Sequence, residues 1–312
     1  MKIVFLDAAT IGSDISLEPI AALGEFVSYN TTDAEDVVER MQGCDVVVIN
    51  KIKMTREVID AVPTLKLICE AATGVNNIDV AYAESRGIPV KNVAAYSTAS
   101  VVQTTFMHIL ALVGGSHYYD NRVKDGTYST SGMFTDLTRP FSELDGKRIG
   151  IIGMGNIGSR VARVAEAFGM SVSYFSTSGT AHCKDYPAIE LEELLSTSDI
   201  VSIHAPLNER TNGLIGWNEL CKMRPSAYIV NAGRGGIIDE EALAKAVDEG
   251  VIAGAATDVF EIEPISTDNP LVSMRHPERV IFSPHIAWAS REARCRLVAA
   301  IAKNIQDFVH LM

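Results

Sequence analysis

The sequence predicts an α/β protein whose parallel strands come in two series. Three observations carry that expectation. Short apolar runs alternate with polar, helix-compatible stretches over about the first ninety residues. The alternation lapses near residue 97 and resumes at Lys147. A Gly-Met-Gly-Asn-Ile-Gly turn at residues 153–158 then joins an apolar run to an Ala-rich helical stretch. Alternation of this kind builds parallel sheets covered on both faces, because each crossover helix must return the chain to the same edge.

In the first series KIVFL (2–6), EFVSY (25–29), DVVVI (45–49) and KLICE (66–70) read as short buried strands. From Ser100 the positions Val102, Phe106, Ile109, Leu110 and Val113 recur at helical spacing. Residues 120–145 are polar, with few periodic apolar positions, and read as a long excursion over the surface. In the second series RIGII (148–152), VSYF (172–175), IVSIH (200–204), AYIVN (227–231) and VIF (280–282) read as strands, and 157–168 as a helix. From residue 290 onward Leu297, Ile301, Ile305, Phe308 and Val309 fall on one helical stripe, which needs a partner surface.

Composition narrows the classes of function. The 312 residues suffice for about two domains at ~150 residues each. With 27 Lys and Arg against 39 Asp and Glu, the net charge of −12 argues against nucleic acid or an anionic membrane surface as partner. The longest apolar runs fall short of a bilayer span, and the one at the N-terminus stops at Asp7, too short for a signal-peptide core. The five cysteines, Cys44, Cys69, Cys183, Cys221 and Cys295, form no C-x-x-C pair and suit a reducing cytoplasm. Cys69 and Cys221 lie among apolar residues and read as core fillers. No His/Cys/Asp cluster has metal-ligand spacing.

The glycine turn carries a specific chemistry. G-x-G-x-x-G is informative where it follows a strand and opens a helix, as here. Gly153 permits the tight turn, Gly155 lets the backbone approach a pyrophosphate, and Gly158 lets helix and strand pack closely. The N–H groups of Asn156 and Ile157 then lie at the positive end of a helix. A dinucleotide is the expected ligand. Such folds often place an acidic residue at the end of the next strand for the ribose 2′-hydroxyl. Here that residue is Ser176, followed by Thr177 and Ser178. The hydroxyls permit a 2′-phosphate, yet no Arg lies in this loop, and His182 and Lys184 are the nearby basic residues. The expectation is NAD, with NADP permitted.

Three further segments each set polar residues behind an apolar strand. They are Val230-Asn231-Ala232-Gly233-Arg234-Gly235-Gly236, Thr257-Asp258-Val259-Phe260-Glu261-Ile262-Glu263-Pro264 and Ser283-Pro284-His285-Ile286-Ala287-Trp288. In this order behind a glycine loop they resemble the D-isomer-specific 2-hydroxyacid dehydrogenase family. The resemblance extends upstream to Ala71-Ala72-Thr73-Gly74-Val75-Asn76-Asn77-Ile78-Asp79 and to residues 92–103, and is strongest to the glycerate dehydrogenase (hydroxypyruvate reductase) branch.

The resemblance implies roles. Arg234 binds the substrate carboxylate with its planar fork and stabilises charge on the reacting oxygen. His285 is the acid–base group, and Glu263 orients its ring and stabilises the imidazolium. Asp258 lies at the nicotinamide, and Thr73, Gly74 and Val75 help to hold the carboxylate. Cofactor contacts fall on the glycine loop, Ser176, the segment His204-Ala205-Pro206, Ala232 and Gly233. Lys51 and Trp288 are further candidates for the substrate pocket. Two residues depart from the family pattern, Ser176 in place of an acidic residue and Gln103 where many members carry Glu.

The implied architecture is a flavodoxin-like substrate domain, residues 1–97 and 288–312, with an inserted Rossmann dinucleotide-binding domain, residues 98–287. Dimerisation through the inserted domain is implied too, with the helix from Ser100 and the 120–145 excursion as candidate surfaces. The expected activity is NAD(P)H-dependent reduction of hydroxypyruvate or a similar small 2-oxo acid. Its rivals are a broad 2-ketoacid reductase, a phosphoglycerate dehydrogenase, and a dinucleotide-sensing, corepressor-like binding protein.

Overall fold

The computed structural model describes residues 1–311. The chain divides into two compact units, one of residues 1–97 with the segment from Ala289 onward, the other Thr98–Trp288. The first holds β1 (Lys2–Phe5), β2 (Glu25–Ser28), β3 (Val46–Ile49), β4 (Leu67–Glu70) and β5 (Val90–Lys91), paired in the order β2-β1-β3-β4-β5. Every pairing is parallel. The strands β3 and β4 are buried at all four positions; β3 is wholly apolar, and β4 carries the buried acid Glu70 at its end.

The second unit holds β6 (Arg148–Ile152), β7 (Ser171–Phe175), β8 (Ile200–Ile203), β9 (Tyr228–Asn231), β10 (Gly254–Thr257) and β11 (Val280–Phe282), in the order β11-β10-β9-β8-β6-β7. Successive residues serve opposite faces. Val201, Ile203, Ile229 and Ala255 join one core, while Ile200, Val230 and Ala256 join the other. The helices Thr98–Gly114 and Asn156–Ala167 cover the second of these faces. The register places the last residues of all six strands in one row, Phe282, Thr257, Asn231, Ile203, Ile152 and Phe175. Every loop that leaves this row starts from the same edge.

Several expectations change. β10 reads GAAT and carries no branched or aromatic residue to mark it. Small residues suit it, since a side chain on Gly254 would run into the backbone of Arg279. The two-residue β5 was also not anticipated. The helix Ser116–Lys124 occupies the start of the 120–145 excursion, and the rest is without helix or strand. Leu110 and Val309 are exposed, whereas Val102, Phe106, Ile109, Val113, Leu297, Ile301 and Ile305 are buried. The helix Arg291–Leu311 packs on β4 and on the short helix Glu18–Ala21. Cys69 is buried but Cys221 is exposed, so Cys221 fills no core. Trp288 falls in the second unit. Among the described residues no single helix is long and apolar enough to cross a membrane.

At the C-terminal edge of the first sheet two acids are buried under the loops. Asp7 accepts the N–H groups of Asn50 (3.0 Å) and Lys51 (2.6 Å). Glu70, 1% exposed, accepts from Asn77 Nδ2 at 3.0 Å, and the same amide donates to the Ile52 carbonyl at 2.9 Å. Asn77 thus ties the loop after β3 to the end of β4. Burial, helped by the neighbouring charge of Asp7, pushes the Glu70 carboxyl up to about 8 against the lowering effects of Asn77 and Lys51. The native state therefore keeps a proton that the unfolded chain gives up near 4.5. The stability this proton carries is fully present below pH 4.5 and is lost as pH rises through about 8. Glu70→Gln removes the titration. Its urea midpoint relative to the wild type is expected to rise steadily between pH 5 and 8.5, and a pH-independent difference would refute the assignment.

Candidate functional site

The glycine turn forms as its residues demand. Gly153 has a φ of 93°, and a Cβ there would lie 2.8 Å from the Ala205 nitrogen. A Cβ on Gly158 would collide with the Gly153 carbonyl, so Gly158 lets the helix Asn156–Ala167 start close against the strand end. Around Gly155 the space a Cβ would occupy is open, and it caps the helix without a side chain. The first helical N–H groups have no acceptor within the helix, which leaves Asn156 and Ile157 suited to a pyrophosphate. The cradle fits a dinucleotide. β6 and β8 flank the point where strand order reverses, where α/β sheets bind such ligands.

Other predicted cofactor residues gather along the same edge. His204 follows β8 and donates its backbone N–H to Ile152 O at 2.8 Å. Its ring pairs with Ser202 Oγ at 2.8 Å, and burial pushes the imidazole down to about 4, so it is neutral at pH 7. Ala205 is buried against the glycine turn, and Pro206 is exposed beside it. Ala232 and Gly233 are buried just beyond β9. Ser176 follows β7, its hydroxyl donating to the Thr180 carbonyl at 2.6 Å. Arg210 also reaches this turn, donating Nη1 to the Ser178 carbonyl at 2.8 Å. The sequence held no sign of that approach, because Arg210 lies on the loop after β8, far along the chain.

Three consecutive strands, β9, β10 and β11, present the polar segments. Asn231 ends β9 and clasps its own loop, donating Nδ2 to Arg234 O (2.9 Å) and accepting the Gly233 N–H (3.0 Å). Arg234 is exposed and uses one N–H on the Gly233 carbonyl. Among the described residues no carboxylate pairs with it, so the fork is free for an acid. Gly235 has no room for a side chain against Phe260, which locks the loop after β9 to the loop after β10. From that second loop Glu263 accepts the Phe260 N–H with Oε1 (3.0 Å) and meets His285 Nδ1 with Oε2 at 2.6 Å. Both side chains of the pair stay partly exposed. Nδ1 is engaged with the carboxylate, and Nε2 is left to exchange a proton with a ligand.

His285 adopts a φ of 54°, a left-handed conformation that disfavours a non-glycine residue by about 1–2 kcal/mol. Asp258 holds it there. Asp258 O accepts the His285 N–H (2.8 Å), and its buried carboxylate accepts the N–H groups of Ile286 (2.9 Å) and Ala287 (2.8 Å) and the Ser283 hydroxyl. The Ser283 oxygen also meets Nε2 of the fully buried His108 at 3.1 Å. Burial, opposed by the charge of Asp258, lowers the affinity of His108 for a proton. Besides the nicotinamide role that the resemblance implies for it, Asp258 shapes the turn around His285. Thr73, Gly74 and Val75 lie in the first unit, where Thr73 is pinned by its hydroxyl to Val93 O (2.9 Å) and by its carbonyl to Asn92 Nδ2 (2.6 Å). Lys51 is exposed on the loop after β3. Trp288 is half-buried and Gln103 exposed.

Comparison with known proteins agrees with this geometry. Residues 106–287 match the model of the D-isomer specific 2-hydroxyacid dehydrogenase NAD binding domain. A hydroxypyruvate reductase of Blautia hydrogenotrophica is 36% identical over 99% of this chain and 97% of its own. A glycerate dehydrogenase of Methylorubrum extorquens is 35% identical over 99% and 96%. Among solved structures, a D-lactate dehydrogenase from Aquifex aeolicus complexed with NAD and lactic acid aligns with a TM-score of 0.86 at 28% identity, covering 99% of this chain and 95% of that one. An NADPH-dependent glyoxylate/hydroxypyruvate reductase from Sinorhizobium meliloti, in complex with NADP and malonate, aligns at 0.84 with 27% identity, covering 99% and 93%.

The turn around His285 yields a prediction. Asp258→Ala strands the N–H groups of Ile286 and Ala287, each a loss of about 1–3 kcal/mol where buried. The urea midpoint and turnover should both fall, and Asp258→Asn, which keeps one acceptor, should lose less of each. Unchanged stability and turnover in Asp258→Ala would show that the turn holds itself.

Proposed function

Because the chain belongs to the D-isomer-specific 2-hydroxyacid dehydrogenase family, an NAD(P)-linked class of oxidoreductases, we propose that it reduces hydroxypyruvate, or a similarly small 2-oxo acid, to the D-2-hydroxy acid. The observation that carries this reading is the His285–Glu263 pair at 2.6 Å, on the sheet edge that also presents Arg234 and the glycine turn. When bound, the reduced nicotinamide supplies the hydride. Gly153, Gly155, Asn156, Ile157 and Gly158 seat its pyrophosphate, and Ala205, Pro206, Ala232 and Gly233 line its path.

The residues of the chain do the rest. Arg234 takes the substrate carboxylate in a bidentate grip and faces the carbonyl oxygen, where negative charge grows as the hydride arrives. His285 Nε2 gives its proton to that oxygen, and in the reverse direction takes it from the hydroxyl. Glu263 holds the ring through Nδ1 and leaves Nε2 as the atom that exchanges the proton. Asp258 keeps the turn rigid and retains acceptor capacity for the carboxamide. Lys51, Thr73, Gly74 and Val75 leave one sheet edge of the first unit, and we assign them to substrate binding, with Trp288 as an apolar wall.

A second copy of this chain is the partner we assign. On the second unit Phe134 is 89% and Leu137 78% exposed, with Met133 and Phe141 also out in solvent, more apolar surface than a monomer ordinarily shows in one segment. The five free cysteines support a reducing, cytoplasmic compartment.

Initial rates over hydroxypyruvate, glyoxylate, pyruvate, phenylpyruvate and 3-phosphohydroxypyruvate test the reading, with hydroxypyruvate or glyoxylate expected to lead. His285→Ala should lower kcat by about 10²–10⁴-fold, and undiminished turnover would overturn the mechanism. Tight dinucleotide binding without turnover of any 2-oxo acid would favour a sensing protein. Lys51→Met should raise KM for hydroxypyruvate more than for glyoxylate, and equal effects would remove Lys51 from the substrate site.

A further inference from the structure

The turn after β7 stands where a dinucleotide-binding sheet distinguishes NAD from NADP. Phe175 pairs with Ile152, so the residues after Phe175 stand beside the glycine turn. This is where the adenosine ribose of a dinucleotide seated on that turn falls. A carboxylate there accepts the 2′-hydroxyl of NAD and repels the 2′-phosphate of NADP. Residues 176–180 are Ser-Thr-Ser-Gly-Thr and contain no acid.

The turn is organised around hydroxyls. Ser176 Oγ and Ser178 Oγ lie 3.1 Å apart, and Ser178 Oγ is 3.4 Å from His182 Nε2. Arg210, brought in by the loop after β8, anchors on the Ser178 carbonyl at 2.8 Å and lies beside Gly179, where a Cβ would sit 3.3 Å from Nη1. That anchor uses one of the five N–H donors of the guanidinium. Arg210 is exposed, and among the described residues no carboxylate pairs with it. In a chain of net charge −12, a guanidinium with no carboxylate partner, anchored on the turn that carries these two hydroxyls, is a site for a compact dianion.

We propose that Ser176, Ser178 and Arg210 bind the 2′-phosphate of NADPH and make it the preferred cofactor. Arg210 supplies charge and a fork of donors, the two serine hydroxyls turn from the Thr180 carbonyl, to which they donate at 2.6 and 3.1 Å, toward the phosphate, and the missing carboxylate removes the repulsion. His182 adds a donor at the rim. The proposal rests on the dehydrogenase reading only in requiring that a dinucleotide occupy the glycine turn.

The test is binding in the absence of substrate, followed by nicotinamide fluorescence or calorimetry with NADPH and NADH. The wild type should bind NADPH at least ~10-fold more tightly, as one or two charge-assisted hydrogen bonds allow. NADPH binding should also weaken more steeply with added salt. Arg210→Gln should lower NADPH affinity by ~10-fold or more and NADH affinity far less. Ser176→Asp should reverse the preference. Equal or tighter binding of NADH by the wild type, or an unchanged ratio in Arg210→Gln, would overturn the proposal and leave the dehydrogenase reading standing. Failure to bind either dinucleotide would overturn both.

Discussion

The parallel register of the second sheet is the constraint on which the site depends. Six strands run the same way, and their last residues stand in one row from Phe282 to Phe175. Neighbouring strands lie about 4.8 Å apart, so loops remote in sequence start within reach of one another. Glu263 and His285 meet across the chain for this reason. Arg210, on the loop after β8, reaches the turn after β7 across the end of β6 by the same route. The row is secured by two dry faces, each with its own core. A slip of one residue in any strand would exchange the faces and displace every loop at that edge.

Rigid strands alone do not place a side chain. The residues next to the row supply local devices, and most are polar groups buried at a cost. Asp258, almost fully buried, is the most consequential. Its oxygens gather Ser283, Ile286 and Ala287 around His285, which offsets the unfavourable backbone conformation of that residue. His108 extends the network into the core from the helix Thr98–Gly114. In the first unit Asp7, Glu70 and Asn77 serve the loops after β3 and β4 in a comparable way. Both sets lie under the loops that carry the residues proposed for the site. Buried polar groups that are satisfied in this way rigidify the geometry around them.

Much of this was legible in the sequence. Branched apolar runs marked nine strands within about a residue, because the central strands such as β3, β4 and β8 are buried on both faces and carry no polar alternation. The glycine turn was legible because each glycine answers a separate steric demand. β10 was not, since its Gly-Ala-Ala-Thr composition serves close packing and gives no strand signal. The exposure of Cys221 and Val309 was hidden too, because apolar neighbours in sequence say little about which face is covered. The roles of His285, Glu263 and Arg234 came from a resemblance, and the structure adds the 2.6 Å contact and the bonds that hold each loop. The contribution of Asp258 to the turn and the approach of Arg210 are tertiary contacts between loops, which nothing in local sequence records.

The central claim is that the sheet edge assembles His285 and Glu263 into one acid–base unit, separate from the machinery that binds the dinucleotide. Glu263→Gln tests it most directly, since the amide keeps the shape and a hydrogen-bond acceptor but loses the carboxylate charge at Nδ1. Turnover of hydroxypyruvate and the dissociation constant of the dinucleotide should be measured side by side on this variant. The account predicts that kcat falls by about 10²-fold while the dissociation constant moves by less than about twofold. Full turnover in Glu263→Gln, or a loss of turnover matched by a loss of dinucleotide binding, would contradict it.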